Sequence, residues 1–318
     1  MKYFLSVDGG TTNTRVALVQ NGKALDTVKL SVGVATARKD KNVYKMAIRD
    51  GIFDIFLRNG LQESDVERIL ASGMITSEYG LCCLPHCVAP AGLQELHDQM
   101  QEMLLPEICA IPFVFLRGVK NVASDFSETD MMRGEETELM GIMNPEYGEC
   151  VYVLPGSHSK VIKTDADGRI ESFSTLLTGE MFYALSQHTI LADAVDMSVE
   201  TVDEDYLLKG YTYCQENGSN KAIFKTRVLK NMFQCSGAEV NSFFRGVILC
   251  DEIREILRYD VDTMVIGGKK QMKTATAMLL KHVSNKKVIS LSDAEVDASV
   301  LRGQLRVFCG EYKSDGIA

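Results

Sequence analysis

The sequence predicts a two-domain α/β protein whose halves repeat one plan, and three observations carry that expectation. The chain has 318 residues, more than one hydrophobic core usually serves. An apolar run at 3–7 breaks into Asp8-Gly9-Gly10-Thr11-Thr12-Asn13-Thr14-Arg15 and resumes at 16–19, which reads as two antiparallel strands around a small-residue turn. The second half repeats this order: an apolar strand at 150–154, the turn Pro155-Gly156-Ser157-His158-Ser159, and a returning strand at 160–164.

Taken in order, strands are expected at 2–8, 15–20 and 24–30, with Gly22 in the last turn. Residues 40–59 carry Val43, Met46, Ile48, Ile52, Phe53, Ile55 and Phe56 at helical spacing, with Gly51 as a weak point. Strands follow at 66–72, ending at Gly73, and at 111–116. The stretch 120–130 reads as polar and irregular, and a helix starts near Gly134 with Leu139, Met140 and Ile142 inward. Asn144-Pro145-Glu146-Tyr147-Gly148 breaks the chain and sets the boundary between domains 1–146 and 147–318. After the repeated strand pair comes a third strand at 170–176, following the Asp167-Gly168 turn. Helices are expected near 180–192, 221–233 and 238–258. A strand at 263–266 opens into Gly267-Gly268-Lys269-Lys270. A helix to about His282, a strand at 287–290 and a last helix from about Asp293 complete the chain.

Composition narrows the function. The apolar share of 46% and charged share of 24% fit a globular protein. A net charge of −9 argues against nucleic acid or an acidic membrane as partner, while leaving room for a locally basic pocket and an anionic substrate. The start lacks a long apolar signal core and no run approaches the ~18 apolar residues of a membrane span, so a cytoplasmic protein is expected. Nine scattered cysteines read as reduced thiols. Cys82, Cys83, His86 and Cys87 have zinc-ligand chemistry, but no second knuckle pairs with them, which favours a core or loop cluster.

The first turn has the chemistry of a phosphate site. Gly9 and Gly10 allow a ligand to approach the main chain. The turn N–H groups and the hydroxyls of Thr11, Thr12 and Thr14 could cradle an anion, and Asp8 at the strand end could hold magnesium directly or through water. The plain alternative is an ordinary tight hairpin. Glu135 and Glu136 at a helix start also suit the helix dipole, and Arg133 offers a bidentate fork that would match a carboxylate or a structural ion pair.

Asp8-Gly9-Gly10-Thr11, then Leu154-Pro155-Gly156-Ser157, then Val265-Ile266-Gly267-Gly268 resemble, in order, the phosphate-1, phosphate-2 and adenosine motifs of the actin, hexokinase and Hsp70 superfamily. Met132-Arg133-Gly134-Glu135-Glu136-Thr137-Glu138-Leu139, Leu154-Pro155-Gly156-Ser157-His158-Ser159-Lys160 and Leu177-Thr178-Gly179-Glu180 narrow this. With Phe244-Arg245-Gly246-Val247-Ile248-Leu249 and Glu252, they resemble the 2-dehydro-3-deoxygalactonokinases over nearly the whole chain. Ser157 stands where threonine is common, and Gly267-Gly268-Lys269 replaces a Gly-Thr/Ser type of turn.

The resemblance implies two duplicated ribonuclease H-like domains, the actin-like ATPase fold, with ATP in the cleft between them and a last helix free to pack back on the first domain. It implies ATP and Mg2+ as cofactors and phosphorylation of 2-dehydro-3-deoxy-D-galactonate at its 6-hydroxyl. Asp8, Gly9, Gly10, Thr11 and Thr12 would hold the β/γ-phosphates and magnesium, and Gly156, Ser157, His158 and Ser159 the phosphates from the other domain. Gly267 and Gly268 would lie by the adenosine. Asn13, Arg15, Arg133, Lys160 and Glu180 are the substrate-side candidates. Glu135 stands where hexokinase-like kinases place the catalytic carboxylate, with Glu136 next to it as the alternative. The domains should close on substrate, and a homodimer is compatible with the resemblance. The rival functions are a kinase of another sugar acid, such as the gluconate epimer, and a non-catalytic nucleotide-binding regulator. Against the regulator, the first strand starts at about residue 2 and leaves no room for a DNA-binding extension.

Overall fold

The computed structural model describes residues 2–268 and 270–312, with the backbone alone at Lys270 and Gln271; Lys269 of the expected adenosine turn lies outside the described residues. The strands are β1 (Tyr3–Gly9), β2 (Thr14–Gln20), β3 (Lys23–Leu30), β4 (Val66–Gly73), β5 (Cys87–Val88), β6 (Gln101–Met103), β7 (Phe113–Phe115), β8 (Val119–Asn121), β9 (Asp130–Met132), β10 (Cys150–Leu154), β11 (Ser159–Thr164), β12 (Ile170–Leu176), β13 (Thr263–Ile266) and β14 (Lys287–Ser290). The helices are α1 (Val34–Ala37), α2 (Lys41–Asn59), α3 (Leu93–Asp98), α4 (Glu135–Ile142), α5 (Thr178–His188), α6 (Glu204–Asn217), α7 (Ser219–Phe233), α8 (Gly237–Ile256), α9 (Lys270–Val283), α10 (Asp293–Asp297) and α11 (Ser299–Cys309).

The chain divides into two compact units. One runs to Asn144 and takes in Gly168–Ile170 and the chain from Asp297; the other holds Pro145–Asp167 and Glu171–Val296. The first has a sheet of order β3-β2-β1-β4-β7-β6, the second one of order β12-β11-β10-β13-β14. In each, the opening hairpin is antiparallel (β1 with β2, β10 with β11), and two strands then add in parallel (β4 and β7, β13 and β14). The parallel additions require crossovers, which the helices supply.

In the first unit strand alternation gives the sheet two buried faces. Leu5, Val7, Val16, Leu18, Ile69 and Phe113 pack with Tyr44, Ile48, Ile52, Ile55 and Phe56 of α2. Phe4, Val19, Leu70 and Val114 face the other way and pack with Leu305 of α11. Burying each such side chain is worth about 1.5–3 kcal/mol. Asp40 caps α2 by accepting from the Asn42 and Val43 amides, and Gly60, at φ 64°, ends it. Gly51 sits where α2 lies close against Leu30, so the residue that weakens the helix also lets β3 approach it. In the second unit Val151, Val153, Val161, Met264 and Ile266 pack with α6, α8 and α9 through Leu207, Val247 and Leu279.

The structure departs from expectation in several places, among them the short elements α1, α3 and β6 and the division of the last helix into α10 and α11. Residues 120–130 contribute to β8 and β9, which form a small sheet of order β5-β8-β9; strands of two or three residues are too short to display a period. Helix α6 was not expected, because its inward stripe is Leu207, Gly210, Tyr211 and Cys214 rather than a large aliphatic series. Thr14, expected to help cradle an anion, is fully buried and its hydroxyl donates to Val32 O at 2.9 Å. Alternation at the start of β2 turns Thr14 in and Arg15 out, and Asn13 is exposed in the turn before it.

Candidate active site

In the first unit the site collects at the carboxyl ends of two parallel neighbours, β1 and β4, where Asp8 pairs with Ser72 and Gly9 with Gly73. That is where open α/β sheets offer a ligand crevice. The hairpin from β1 to β2 is closed by Gly10 N–H donating to Asn13 O at 2.9 Å. Its outer side is held by the start of α1: the Val34 and Ala35 amides donate to Gly10 O and Thr11 O at 3.1 and 2.9 Å. Gly33 makes this possible, since a Cβ there would fall 2.5 Å from Thr11 O. With those carbonyls occupied, Thr11, Thr12 and Asn13 stay exposed at the tip, and Asn13 Nδ2 donates to Thr12 Oγ1 at 2.9 Å.

Asp8 is the acidic group of this turn. Burial raises its pKa, and Arg15, opposite it on β2, partly offsets the rise. Behind it Gln304 of α11, fully buried, donates to Val7 O at 3.0 Å and Ser72 Oγ at 2.9 Å and accepts from Ser6 Oγ at 2.6 Å. The C-terminal helix therefore pins β1 to β4 immediately before Asp8.

Helix α4 brings three more carboxylates. Glu136 points inward: its oxygens accept the Gly134 amide at 2.7 and 3.0 Å and Thr137 Oγ1 at 3.0 Å. Burial first, then Glu135, push it up to about 7. Glu135, half-buried, accepts the Arg133 amide through Oε2 at 3.1 Å. Glu138, one turn on from Glu135, is raised to about 7 by burial, then by Glu135, then by Asp8. Asp8, Glu135 and Glu138 thus form one electrostatic group, and Glu138 is the member that sequence reasoning passed over. The signal was the i, i+3 spacing from Glu135, which puts both on one helix face.

Arg133 is committed to the protein. Its Nη1 donates to Thr76 O and Oγ1 at 2.8 and 2.6 Å, and its Nη2 donates to Leu84 O at 3.0 Å and lies 3.2 Å from His86 Nε2. Burial, then the charges of Arg133 and Lys120, lower His86 to about 4, so the ring is neutral beside the guanidinium. Arg133 ties the segment after β4 to the start of α4. Of the neighbouring thiols, Cys82 and Cys87 are buried and Cys83 is exposed. Among the described residues no three His, Cys, Asp or Glu side chains gather closely enough to hold a metal ion by themselves.

In the second unit Gly156, Ser157 and His158 are exposed at the tip of the β10–β11 turn. The start of α5 braces it. Glu180 N–H donates to Ser157 O at 3.0 Å, and Glu180 Oε2 is paired with His158 Nε2 at 2.8 Å. A Cβ at Gly179 would fall 2.1 Å from Gly156 O, so only glycine lets α5 come this close. Ser159 and Lys160 are buried, and Lys160 Nζ donates to His158 O at 3.4 Å from beneath the turn. Gly267 N–H donates to Val153 O at 2.8 Å, and Gly268, at φ 75°, packs against Pro155. The phosphate-2 and adenosine motifs and the Leu177-Thr178-Gly179-Glu180 string thus meet at one place, while the Asp8 and α4 residues meet in the other unit.

A family model described as 2-keto-3-deoxy-galactonokinase matches residues 8–304. A Rhizobium meliloti (strain 1021) protein named as a probable 2-dehydro-3-deoxygalactonokinase is 31% identical over 201 residues, 61% of this chain and 59% of that protein. The 2-dehydro-3-deoxygalactonokinase of Escherichia coli (strain K12) is 22% identical over 80% of this chain and 81% of its own. A crystal structure of a candidate 2-dehydro-3-deoxygalactonokinase from Sinorhizobium meliloti superposes with a TM-score of 0.76 at 23% identity, covering 95% of this chain and 97% of that one. The last likeness establishes a shared fold.

Proposed function

The chain belongs to the 2-keto-3-deoxy-galactonokinase family, and we propose that it transfers the γ-phosphate of ATP to the 6-hydroxyl of 2-dehydro-3-deoxy-D-galactonate. The observation that carries this reading is the family match itself, which begins at Asp8 and ends at Gln304, the residue that pins β1 behind that aspartate. The duplicated sheet order supports the finer expectation of two ribonuclease H-like halves acting on one nucleotide.

Phosphoryl transfer leaves the protein two tasks, positioning and charge compensation. The amides and hydroxyls of Thr11 and Thr12 suit the β/γ-phosphates, with Gly9 and Gly10 keeping side chains out of the way. Gly156, Ser157 and His158 suit the same phosphates from the second unit, and Glu180 orients His158. Lys160 supplies positive charge from under that turn. Gly267 and Gly268 suit the adenosine side. Asn13, exposed in the turn, and Arg15, outward on β2, are assigned to the sugar acid, whereas Arg133 is assigned a positioning role because both terminal nitrogens are engaged.

Magnesium fits the first unit. Asp8 ends β1 beside the exposed Thr11–Thr12 tip, a place that suits an ion which keeps waters and takes phosphate oxygens. Asp8 would hold it, directly or through water, and it would screen the phosphate charge. Glu135 is assigned to the proton of the attacking hydroxyl, because it is half-buried and reachable while Glu136 is fully buried against Gly134 and Thr137. Glu138, pushed up to about 7, lies within the electrostatic reach of both Glu135 and Asp8.

Phosphorus NMR of the product tests the assignment. A phosphomonoester on carbon 6 of the galactonate compound is expected. Phosphate on another hydroxyl, or transfer only to the gluconate epimer, would contradict the stated substrate chemistry.

A further inference from the structure

We propose that Glu252 is a positioning residue for ATP: from α8 it joins the start of β11 to the start of α5, and so fixes the Gly156–His158 turn that these two elements grip. The inference deepens the reading of that turn as a phosphate site and rests on it.

Glu252 is fully buried, and neither carboxyl oxygen makes a well-aligned hydrogen bond. The hydroxyls of Thr178 and Ser159 are nonetheless near enough to oppose the effect of burial on its pKa. Ser159 Oγ is likewise buried without a well-aligned partner. A buried carboxyl is an expensive way to fill space, since polar groups without good partners cost about 1–3 kcal/mol each. Its location explains its chemistry better than filling does. Ser159 is the first residue of β11, directly after the turn, and Thr178 is the first residue of α5, directly before Gly179 and Glu180. Those two residues brace the turn through Gly156 O and Ser157 O. Either form of the carboxyl has acceptor capacity for both hydroxyls at once, and burial favours the form that also carries a donor.

The support under this bridge is rigid. Arg245, on the same helix and fully buried, donates to Thr201 O at 3.1 Å and Val199 O at 2.5 Å. Glu255, one turn beyond Glu252, accepts from Ser174 Oγ of β12 at 2.7 Å. Glu255 fastens α8 to the sheet with a conventional bond. Glu252 reaches the two hydroxyls on either side of the turn.

The test uses the full chain, with wild type, Glu252→Leu and Glu252→Gln compared by calorimetric MgATP affinity, steady-state KM for ATP and for the sugar acid, and melting temperature. Leucine keeps the volume and removes the carboxyl that faces both hydroxyls. It should weaken ATP binding and raise the ATP KM about tenfold, leave the sugar-acid KM within about twofold, and leave the melting temperature no lower. Glutamine, which can donate and accept, should recover ATP affinity to within about threefold of wild type. Wild-type ATP affinity in Glu252→Leu, or a joint rise of both KM values, would overturn the proposal. Ser159→Ala reads the same bridge from its other end should the leucine variant not fold. It too should weaken ATP and spare the sugar acid, and unchanged ATP affinity there would overturn the proposal. Turnover of the wild type is measured first: its absence counts against the assigned activity, while the ATP affinities of the variants still decide the bridge.

Discussion

Two adjacent glutamates at the start of α4 have opposite surroundings. Glu136 is buried against Gly134 and Thr137, whereas Glu135 shares an electrostatic group with Asp8 and Glu138. Neighbouring residues on a helix point about 100° apart, so a Glu-Glu pair cannot put both carboxylates in one place. Which of them is buried depends on how α4 is rotated against its surroundings, and no local pattern contains that angle. Glu135→Gln should abolish most turnover in a folded protein, and retained turnover would remove Glu135 from the proton-transfer role. Glu136 makes a stability prediction instead. Its pKa is raised from 4.5 to about 7, so between those values the folded chain holds a proton that the unfolded chain has lost. The contribution of Glu136 to stability should therefore be complete below about pH 4.5 and be lost as pH rises through about 7, by up to about 3 kcal/mol if Glu136 titrates alone. The neighbouring charge of Glu135 spreads that step. Melting curves from pH 5 to 8 should show the decline, and Glu136→Gln should lessen it, leaving the part that Glu138 contributes.

At the level of elements, the hairpin turns were legible because glycines and small hydroxyl residues interrupt apolar runs, and β1, β2, β10 and β11 lie where those runs predict. Side-chain direction after the turns was not. Ser159 and Lys160 sit among residues whose motif promised a ligand, yet strand pairing from Leu154 opposite Lys160 turns them under the turn. Helix α11 was legible as a helix, but its role comes from long-range contacts. It buries Leu305 on the sheet, sets Gln304 behind Asp8, and uses Arg306 to bond the carbonyls of Met140, Gly141 and Met143 at the end of α4. The crossing with α4 is close: a Cβ at Gly303 would fall 1.8 Å from Thr137 O. Gly303→Ala should thus destabilise the protein by about 1–3 kcal/mol, seen as a lower denaturant midpoint. An unchanged midpoint would mean that the helices can separate without loss. Gln304→Ala should lower kcat as well as stability, because it frees the strand end that carries Asp8.

For the whole molecule, the repeated sheet order gives each unit one small-residue turn at the end of its first strand. The first unit adds carboxylates and the second adds a lysine, a histidine and the Gly267-Gly268 turn. This division follows the chemistry: acidic groups suit a cation and a hydroxyl proton, while donors suit phosphate oxygens. No helix among the described residues is long and apolar enough to cross a membrane. Enzymes that must keep water from a reactive phosphate commonly close on their substrates. Small-angle scattering with MgATP and the sugar acid together should accordingly differ from the ligand-free profile, and superimposable profiles would count against closure. Substrate stereochemistry is the part least legible from sequence, because it depends on where a few polar atoms sit rather than on which residues are present.

The most direct measurement is coupled ADP release with MgATP, comparing 2-dehydro-3-deoxy-D-galactonate, its gluconate epimer and no sugar acid. Release that depends on the galactonate compound is the expected result. Folded, ATP-binding protein that releases no ADP in response to either acid would contradict the assignment of this chain as a sugar-acid kinase.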